Sequence, residues 1–159
     1  MPEQVWKKPE IVLWSQILLN SYEKLLKQPL IDRKGDPLEQ SKALFFAPFA
    51  VVSHGIESDP ILNYGNQAAL ELWEMSWEDL IGTPSRLTAE PVNREERERM
   101  LALAAKQGFV ANYRGIRISK TGRRFLIENA IVWNLVNWEA QVCGQAATFS
   151  EWSFLLYKT

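Results

Sequence analysis

The chain has 159 residues, 47% of them hydrophobic, which is enough to bury one core of ordinary domain size and too few to favour two independent domains. Lys and Arg number 18 against 19 for Asp and Glu, so no net charge is available to attract nucleic acid or an anionic membrane surface. The single cysteine, Cys143, excludes an internal disulfide, and no apolar run reaches the roughly 20 residues of a membrane span, so we expect a cytoplasmic protein.

The first predicted element is a helix over residues 10–28. Its apolar residues recur at spacings of three and four and extend around about half of the helix, which is more than one sheet face covers. They are Ile11, Val12, Trp14, Ile17, Leu18, Leu19, Tyr22, Leu25 and Leu26. We therefore expect a homodimer with this helix in its contact, unless residues 38–46 or the tail 152–157 fold over the helix within one chain.

A polar, turn-rich stretch over 28–40 separates this helix from the remainder of the chain. We divide the chain accordingly into an N-terminal helical extension, 1–42, and a main domain, 43–159. The main domain opens with two short apolar runs, 49–54 and 61–64, and each run is predicted to be a strand.

Three helices are predicted next. Asn66 is expected to cap the first of them, and a short second helix over 77–81 ends at Gly82. Asn93 begins an Asn-x-x-Glu pattern, a variant of the capping box, and predicts a third helix over 94–107.

The last third of the chain contains three strand-like runs, separated by turns at 121–122 and 137–140. In the first run the apolar residues change parity, which predicts a bulge near 114–115. In the second run Asn129 lies among apolar residues that alternation assigns to one face, namely Phe125, Ile127, Ile131, Trp133 and Leu135. The order of a strand pair, helices and three strands predicts an α+β domain in which helices cross one antiparallel sheet.

Three segments carry a family resemblance. Residues 49–73, FAVVSHGIESDPILNYGNQAALELW, resemble the opening of PAS domains of the LOV branch. Residues 77–91, WEDLIGTPSRLTAEP, and 144–149, GQAATF, are similar to the MEKHLA domain, and the resemblance covers about 43–152. That family includes stand-alone bacterial proteins and the C-terminal region of plant class III homeodomain leucine-zipper factors. The resemblance implies a PAS-like five-stranded antiparallel sheet with helices on one face, here with an added N-terminal helix, in a signalling or protein–protein interaction module.

LOV domains bind flavin and form a photoadduct through a cysteine in a segment that corresponds to residues 82–89. Ser85 stands at the position of that cysteine, Pro84 and Ala89 replace the family's asparagine and glutamine, and Arg86 keeps the family's residue type. The positions of the flavin-binding amides of the family are occupied by Arg117, Ile127 and Ala146. The resemblance therefore implies a LOV-like scaffold without the flavin cysteine, and we expect no cofactor and in particular no flavin.

The sequence offers few residues that could form a catalytic or metal site. His54 and Cys143 fall on different predicted strands without a third group to orient them, so we assign no catalytic residue and no metal ligand. Glutamates and arginines are interleaved over 94–99, which is typical of a solvated helix face. A basic hairpin is interpreted as protection of a strand edge rather than as a nucleic-acid contact. It consists of Arg114, Arg117, Lys120, Arg123 and Arg124.

Five residues are candidate ligand contacts. Asn129 interrupts an apolar strand face, where an unpaired amide costs about 1–3 kcal/mol, so backbone, water or a ligand must pair with it. The resemblance places Ser85 and Arg86 at the mouth of the pocket, and Arg86 could equally cap a helix or pair with Glu90. Trp73 and Trp133 are expected to line the same interior.

The leading hypothesis is a PAS-like sensory or interaction module, not an enzyme, that binds an optional small apolar ligand and regulates association. One alternative is a small pocket enzyme of unknown reaction, with His54 or Glu128 as its base. The other is a purely structural dimerisation domain whose core is filled by side chains.

Overall fold

Two helices precede the first strand in a computed structural model, which describes residues 4–156. After a 3-10 turn at Val5–Lys7 come α1 (Pro9–Leu26) and α2 (Pro37–Phe45), and each begins with a proline, whose missing N–H is not needed at that position. A capping box starts α2: the Asp36 carboxylate accepts from the Glu39 amide at 2.9 Å, and the Glu39 carboxylate accepts from the Asp36 amide at 3.2 Å. The prediction of a turn-rich stretch over 28–40 missed this helix.

The remaining elements follow the predicted order. They are β1 (Ala50–His54), β2 (Leu62–Gly65), α3 (Gln67–Trp73), α4 (Trp77–Leu80), α5 (Pro91–Gln107), β3 (Phe109–Ile118), β4 (Arg124–Val136), β5 (Val142–Phe149) and β6 (Glu151–Phe154). Asn66 caps α3 as predicted, because its side-chain oxygen accepts from the Ala69 amide at 3.2 Å. The predicted cap at Asn93 is wrong, since α5 already begins at Pro91.

The strands form one antiparallel sheet in the order β2-β1-β5-β4-β3, with β6 paired to the first part of β4. Ile131 pairs with Thr148 of β5, and Glu128 pairs with Glu151 of β6, so both strands keep a single register against β4. Strand β6 is thus a continuation of β5. The predicted α+β fold with an antiparallel sheet is confirmed, with a sixth strand added to the five expected.

Helices cover both faces of this sheet, as two neighbouring residues of β4 show. Trp133 donates its indole N–H to the Leu18 carbonyl of α1 at 3.3 Å, whereas Asn134 donates its amide to the Ala105 carbonyl of α5 at 3.2 Å. Because successive side chains of a strand point to opposite faces, α1 and α5 lie on opposite sides of the sheet. One apolar core lies beneath α1 and α2, and a second lies beneath α3 and α5.

The backbone of β4 breaks its own alternation at Asn129, whose φ is +52°. Before it, Phe125 and Ile127 belong to the core beneath α3 and α5; after it, Trp133 and Leu135 belong to the core beneath α1. The prediction that these residues share one face is therefore wrong. A residue in the left-handed region turns the strand over and moves every later side chain to the other face.

Strand β3 contains a matching irregularity. Asn112 has a φ of +56°, and the pairing with β4 shifts on both sides of Tyr113. The second of these shifts lies between Tyr113 and Gly115, so a bulge is present in the predicted part of the strand, with the left-handed residue slightly earlier. As a result Tyr113 and Arg117 point towards α5.

Much of the apolar surface of α1 is covered within the chain. Helix α2 packs along α1, with the Ser15 and Ser41 hydroxyls 3.2 Å apart at the contact, and the alternative in which residues 38–46 fold over the helix is the observed one. Leu13, with 56% of its surface exposed, is the large apolar residue of α1 that stays outside. The homodimer and the division at 42/43 stay predictions. Within residues 4–156, no helix combines the length and apolar character that crossing a membrane demands.

The positive φ of Asn129 can be tested by substitution. We expect Asn129→Val to lower the free energy of unfolding by about 1–2 kcal/mol, because a β-branched residue tolerates the left-handed region poorly. Asn129→Gly, the matched control, removes the same hydrogen bond to Glu151 but accepts the backbone angle, and should cost clearly less. Urea denaturation measures both, and equal losses for the two variants would contradict the role of the backbone.

Candidate ligand-binding cavity

A cavity of about 50 Å³ lies between the sheet and helices α3 and α5. Since one water molecule needs roughly 10–15 Å³ of cavity volume, the cavity accommodates only a few non-hydrogen atoms. Its apolar wall includes Leu62, Met100, Leu101, Ile127, Val132 and Ala147. Its polar wall includes His54, Ser85, Thr88, Arg97, Tyr113 and Arg117. A mostly apolar lining with a few polar groups is typical of small-molecule sites.

Arg97 enters the cavity from α5, and only 5% of its surface is exposed. Its guanidinium donates to the Ser85 hydroxyl and, at 3.1 Å, to the carboxylate of Glu98. Burial, and then the charge of nearby Arg117, lower the pKa of Arg97 to about 10. Arg97 therefore stays charged at neutral pH.

Arg117 reaches the cavity from β3, and only 6% of its surface is exposed. It donates to the Tyr113 hydroxyl at 3.0 Å and to the Ile116 carbonyl at 2.9 Å, and forms no ion pair with a carboxylate of residues 4–156. The Tyr113 hydroxyl in turn donates to Glu96 at 2.9 Å. Gly115 makes this arrangement possible, because a Cβ there would overlap the Tyr113 hydroxyl.

Two residues of the cavity wall, His54 and Trp73, each carry a buried polar atom without a partner among the described residues. His54 Nδ1 lies 2.9 Å from the Gly55 carbonyl, so Nδ1 carries the proton and Nε2 is an acceptor, which is buried without a hydrogen bond to any described residue. The indole N–H of Trp73, whose ring packs on Phe125 and Phe149, is also buried without an acceptor in that part of the chain. Because such groups cost about 1–3 kcal/mol when unpaired, the cavity favours an occupant that satisfies them.

The structure divides the five predicted ligand contacts. Ser85 and Trp73 lie in the cavity wall. Arg86 is exposed, pairs with Asp59 at 3.3 Å rather than with Glu90, and is not among the residues that line the cavity. Trp133 lies on the opposite face, beneath α1, and does not share an interior with Trp73. Asn129 is exposed and donates to Glu151 at 2.6 Å, because its left-handed backbone turns the side chain outwards.

Arg97 was not predicted to lie at the cavity, and Arg117 was connected with it only as the residue at the position of a flavin-binding amide. Arg97 belongs to the run interpreted as a solvated face, but it begins an apolar series with Met100, Leu101 and Ala104, at helical spacings of three, four and seven. That spacing was the signal in the sequence that could have placed Arg97 on the buried face of α5.

Arg117 belongs to the basic hairpin, whose other members lie outside the cavity and form ion pairs with neighbouring carboxylates. These pairs are Arg114 with Glu128 at 3.6 Å, Lys120 with Asp79 at 2.8 Å, Arg123 with Glu74 at 3.6 Å, and Arg124 with Glu90 at 3.7 Å. Among these five basic residues, Arg117 is thus the one that points inwards.

The residues of the cavity do not fit a flavin. Ser85, at the position of the adduct-forming cysteine, accepts a hydrogen bond from Arg97, and Arg117 brings a second cation where the family has an amide. The volume of about 50 Å³ is far below that of a three-ring system.

The cavity also holds few groups suited to catalysis. Glu128 pairs with Arg114 outside the cavity, and the half-buried Cys143 has a pKa raised by burial, so its thiol stays protonated. Within residues 4–156, no group of three or more His, Cys, Asp and Glu side chains is placed to hold a metal.

His54 is the single histidine of the chain, so its titration can be isolated. Burial lowers its pKa from 6.5, hence the unfolded chain binds more protons and stability is lost as the pH falls below about 6.5. We expect the free energy of unfolding, measured by denaturant titration between about pH 5 and 7, to fall more steeply with acidification in the wild type than in His54→Gln. Identical slopes would show that His54 does not titrate differently on folding.

Comparisons with known proteins agree with this architecture. The MEKHLA domain family matches residues 12–154. Homeobox-leucine zipper protein HOX10 of Oryza sativa, in both the indica and the japonica subspecies, is 26% identical over 151 residues; the match covers 92% of this chain and spans 18% of the length of the rice protein.

Solved structures of PAS and LOV domains share the fold. A PAS domain from Colwellia psychrerythraea has a TM-score of 0.61 and 22% identity, covering 71% of this chain and 94% of that one. A LOV domain studied with a flavin analogue has a TM-score of 0.58 and 17% identity, covering 74% of this chain and 85% of that one. An RNA-binding LOV receptor has a TM-score of 0.62 and 18% identity, covering 75% of this chain and 34% of that one. With the family match extending over most of its length, the chain belongs to the MEKHLA domain family and has the PAS-like fold.

Proposed function

We propose that this domain is a sensory module that binds a small ligand in the cavity between the sheet and helices α3 and α5. The observation that carries the proposal is that two residues of the cavity wall carry unpartnered buried atoms, Trp73 Nε1 and His54 Nε2. A domain filled only for stability replaces such groups by apolar ones, because that removes the cost of leaving them unpaired. A ligand with its own acceptor and donor removes the same cost.

The proposal is for binding rather than catalysis, and without flavin. His54 is held by the Gly55 carbonyl, and burial lowers its pKa, so it is a neutral acceptor at neutral pH. No nucleophile of the cavity stands in a hydrogen bond with it, since Ser85 instead accepts from Arg97. The arrangement supports recognition by hydrogen bonds and charge.

Strand β4 supplies a route from the cavity to the outer helices. Val132 and Ile127 line the cavity, and Trp133, the residue after Val132, donates to the Leu18 carbonyl on the other side of the sheet. Because the strand is rigid and both faces are packed, a shift of β4 on ligand binding displaces its contact with α1. We propose that occupancy is communicated to α1 and thereby regulates association of the domain.

Ligand binding is tested by filling the cavity. Ala147→Val adds two carbon atoms to the cavity wall on β5 and should abolish binding while the fold persists, since the added volume is small. Ala111→Val, on the exposed surface of β3, is the matched control. The measurement is two-dimensional NMR of each protein with the fraction of a cell extract below about 1 kDa, in which the wild type and the control should show shifted signals of Trp73 and Arg97.

Two results contradict this proposal. An absence of shifts in the wild type favours the purely structural alternative. Equal shifts in the wild type and in the Ala147→Val variant place the binding elsewhere on the surface.

Association through α1 is tested at its exposed apolar residue. If α1 lies in a homodimer contact, Leu13→Glu should convert the dimer to a monomer, because the contact would have to bury an unpaired carboxylate. Val92→Glu, at an exposed apolar residue of α5, is the control and should leave the oligomeric state unchanged. Size-exclusion chromatography with light scattering measures the mass, and a monomeric wild type at micromolar concentration would exclude the dimer.

A further inference from the structure

Two buried cations face one small cavity. Arg97 and Arg117 are 5% and 6% exposed, they come from α5 and β3, and both line the same chamber. Arginine is rarely buried to this extent without a carboxylate beside it, because removing its charge from water is costly. Any part of these two charges that carboxylates of the chain do not neutralise must therefore be balanced by another anion.

The carboxylates of the chain do not fill the cavity. Glu98, the ion-pair partner of Arg97, keeps 63% of its side chain exposed, and Arg117 forms no ion pair within residues 4–156. Glu96 contacts the Tyr113 hydroxyl rather than either guanidinium. At Arg97 the positive charges of Arg117 and Arg94 act against the negative charge of Glu98, and His54 is neutral at neutral pH because burial lowers its pKa. The chamber thus retains a positive potential that its own residues do not neutralise.

We infer that the cavity binds a small monocarboxylate with a short apolar tail, an inference that rests on the proposed ligand-binding function and names the class of ligand. A planar carboxylate matches the fork of a guanidinium and can accept from both arginines. The unpartnered indole N–H of Trp73 supplies one more donor at the same cavity.

The remaining wall selects the rest of the molecule. Leu62, Met100, Ile127 and Val132 present apolar surface, which favours a short hydrocarbon tail. The volume of about 50 Å³ restricts the tail to a few carbon atoms and leaves no room for a second charged group. Inorganic phosphate has no apolar part, so it gains nothing from this wall and loses its hydration.

Glu98 provides an internal competitor. Its carboxylate holds Arg97 at 3.1 Å from the solvent side, so a ligand carboxylate must share or displace this contact. Removing the charge of Glu98 should therefore strengthen binding of an anion. Removing it should leave a neutral ligand unaffected. This difference between an anionic and a neutral ligand separates recognition of charge from simple filling of the cavity.

The experiment is an NMR titration of the full chain with acetate, propionate and butyrate at constant ionic strength, with propionamide as the neutral isostere and inorganic phosphate as the anion without a tail. We expect propionate to shift the signals of the cavity residues, and propionamide and phosphate to bind at least about tenfold more weakly. Arg117→Met should weaken propionate binding by about tenfold or more, and Glu98→Gln should strengthen it. Arg99→Met, at an exposed arginine of α5 that pairs with Glu95, should leave it unchanged.

The outcomes separate this inference from the proposed function. If propionamide binds as well as propionate, or if Glu98→Gln weakens propionate binding, the carboxylate assignment is wrong while ligand binding itself stands. If neither these probes nor the extract fraction shifts the cavity signals, both are wrong. Should Arg117→Met fail to fold, Glu98→Gln decides alone, because Glu98 is exposed and its replacement leaves the core intact.

Discussion

The left-handed backbone at Asn129 is the constraint on which the two-sided construction of this domain depends. A regular strand keeps one set of side chains on one face, so Phe125 and Ile127 would share a core with Trp133 and Leu135. By turning over at Asn129, β4 instead moves its odd-numbered side chains from the cavity side, where Phe125 and Ile127 lie, to the α1 side, where Trp133 and Leu135 lie. The same reversal brings Val132 to the cavity side. Asn112 makes the matching adjustment in β3, which brings Tyr113 and Arg117 to the cavity side.

The buried arginines set the electrostatic character of the cavity. A PAS-like scaffold requires a packed sheet and helices, but it does not require two guanidinium groups inside. Both are held by hydroxyl groups, Arg97 by Ser85 and Arg117 by Tyr113, which fix the direction of each donor without cancelling its charge. The chain thus holds a family scaffold whose interior chemistry differs from that of a flavin site.

Local signals in the sequence were sufficient for most of the scaffold. The Asn66 cap and the stop at Gly108 fix helix ends through contacts within a few residues, and such contacts are readable from the sequence. Helix α2 was missed because Pro37, taken as a turn residue, is its first residue.

The cavity was less predictable, for two physical reasons. Simple alternation placed Asn129 on the apolar face, whereas the positive φ of this one residue reverses the alternation. Asparagine adopts positive φ more readily than most residues, and this tolerance was the signal in the sequence that could have indicated the reversal. Arg97 and Arg117 lie twenty positions apart in the sequence and meet only after α5 packs on β3, so no local pattern shows that they share a chamber.

The chain places its single histidine in the wall of the cavity between the sheet and helix α5. In a proton spectrum the carbon-bound ring protons of histidine resonate apart from most others, so this domain carries one isolated reporter, built into the native sequence, at the place where an occupant would sit. No label or engineered probe is needed to watch the chamber. Titrating a sample with any small molecule and following that one imidazole reads the state of the interior directly.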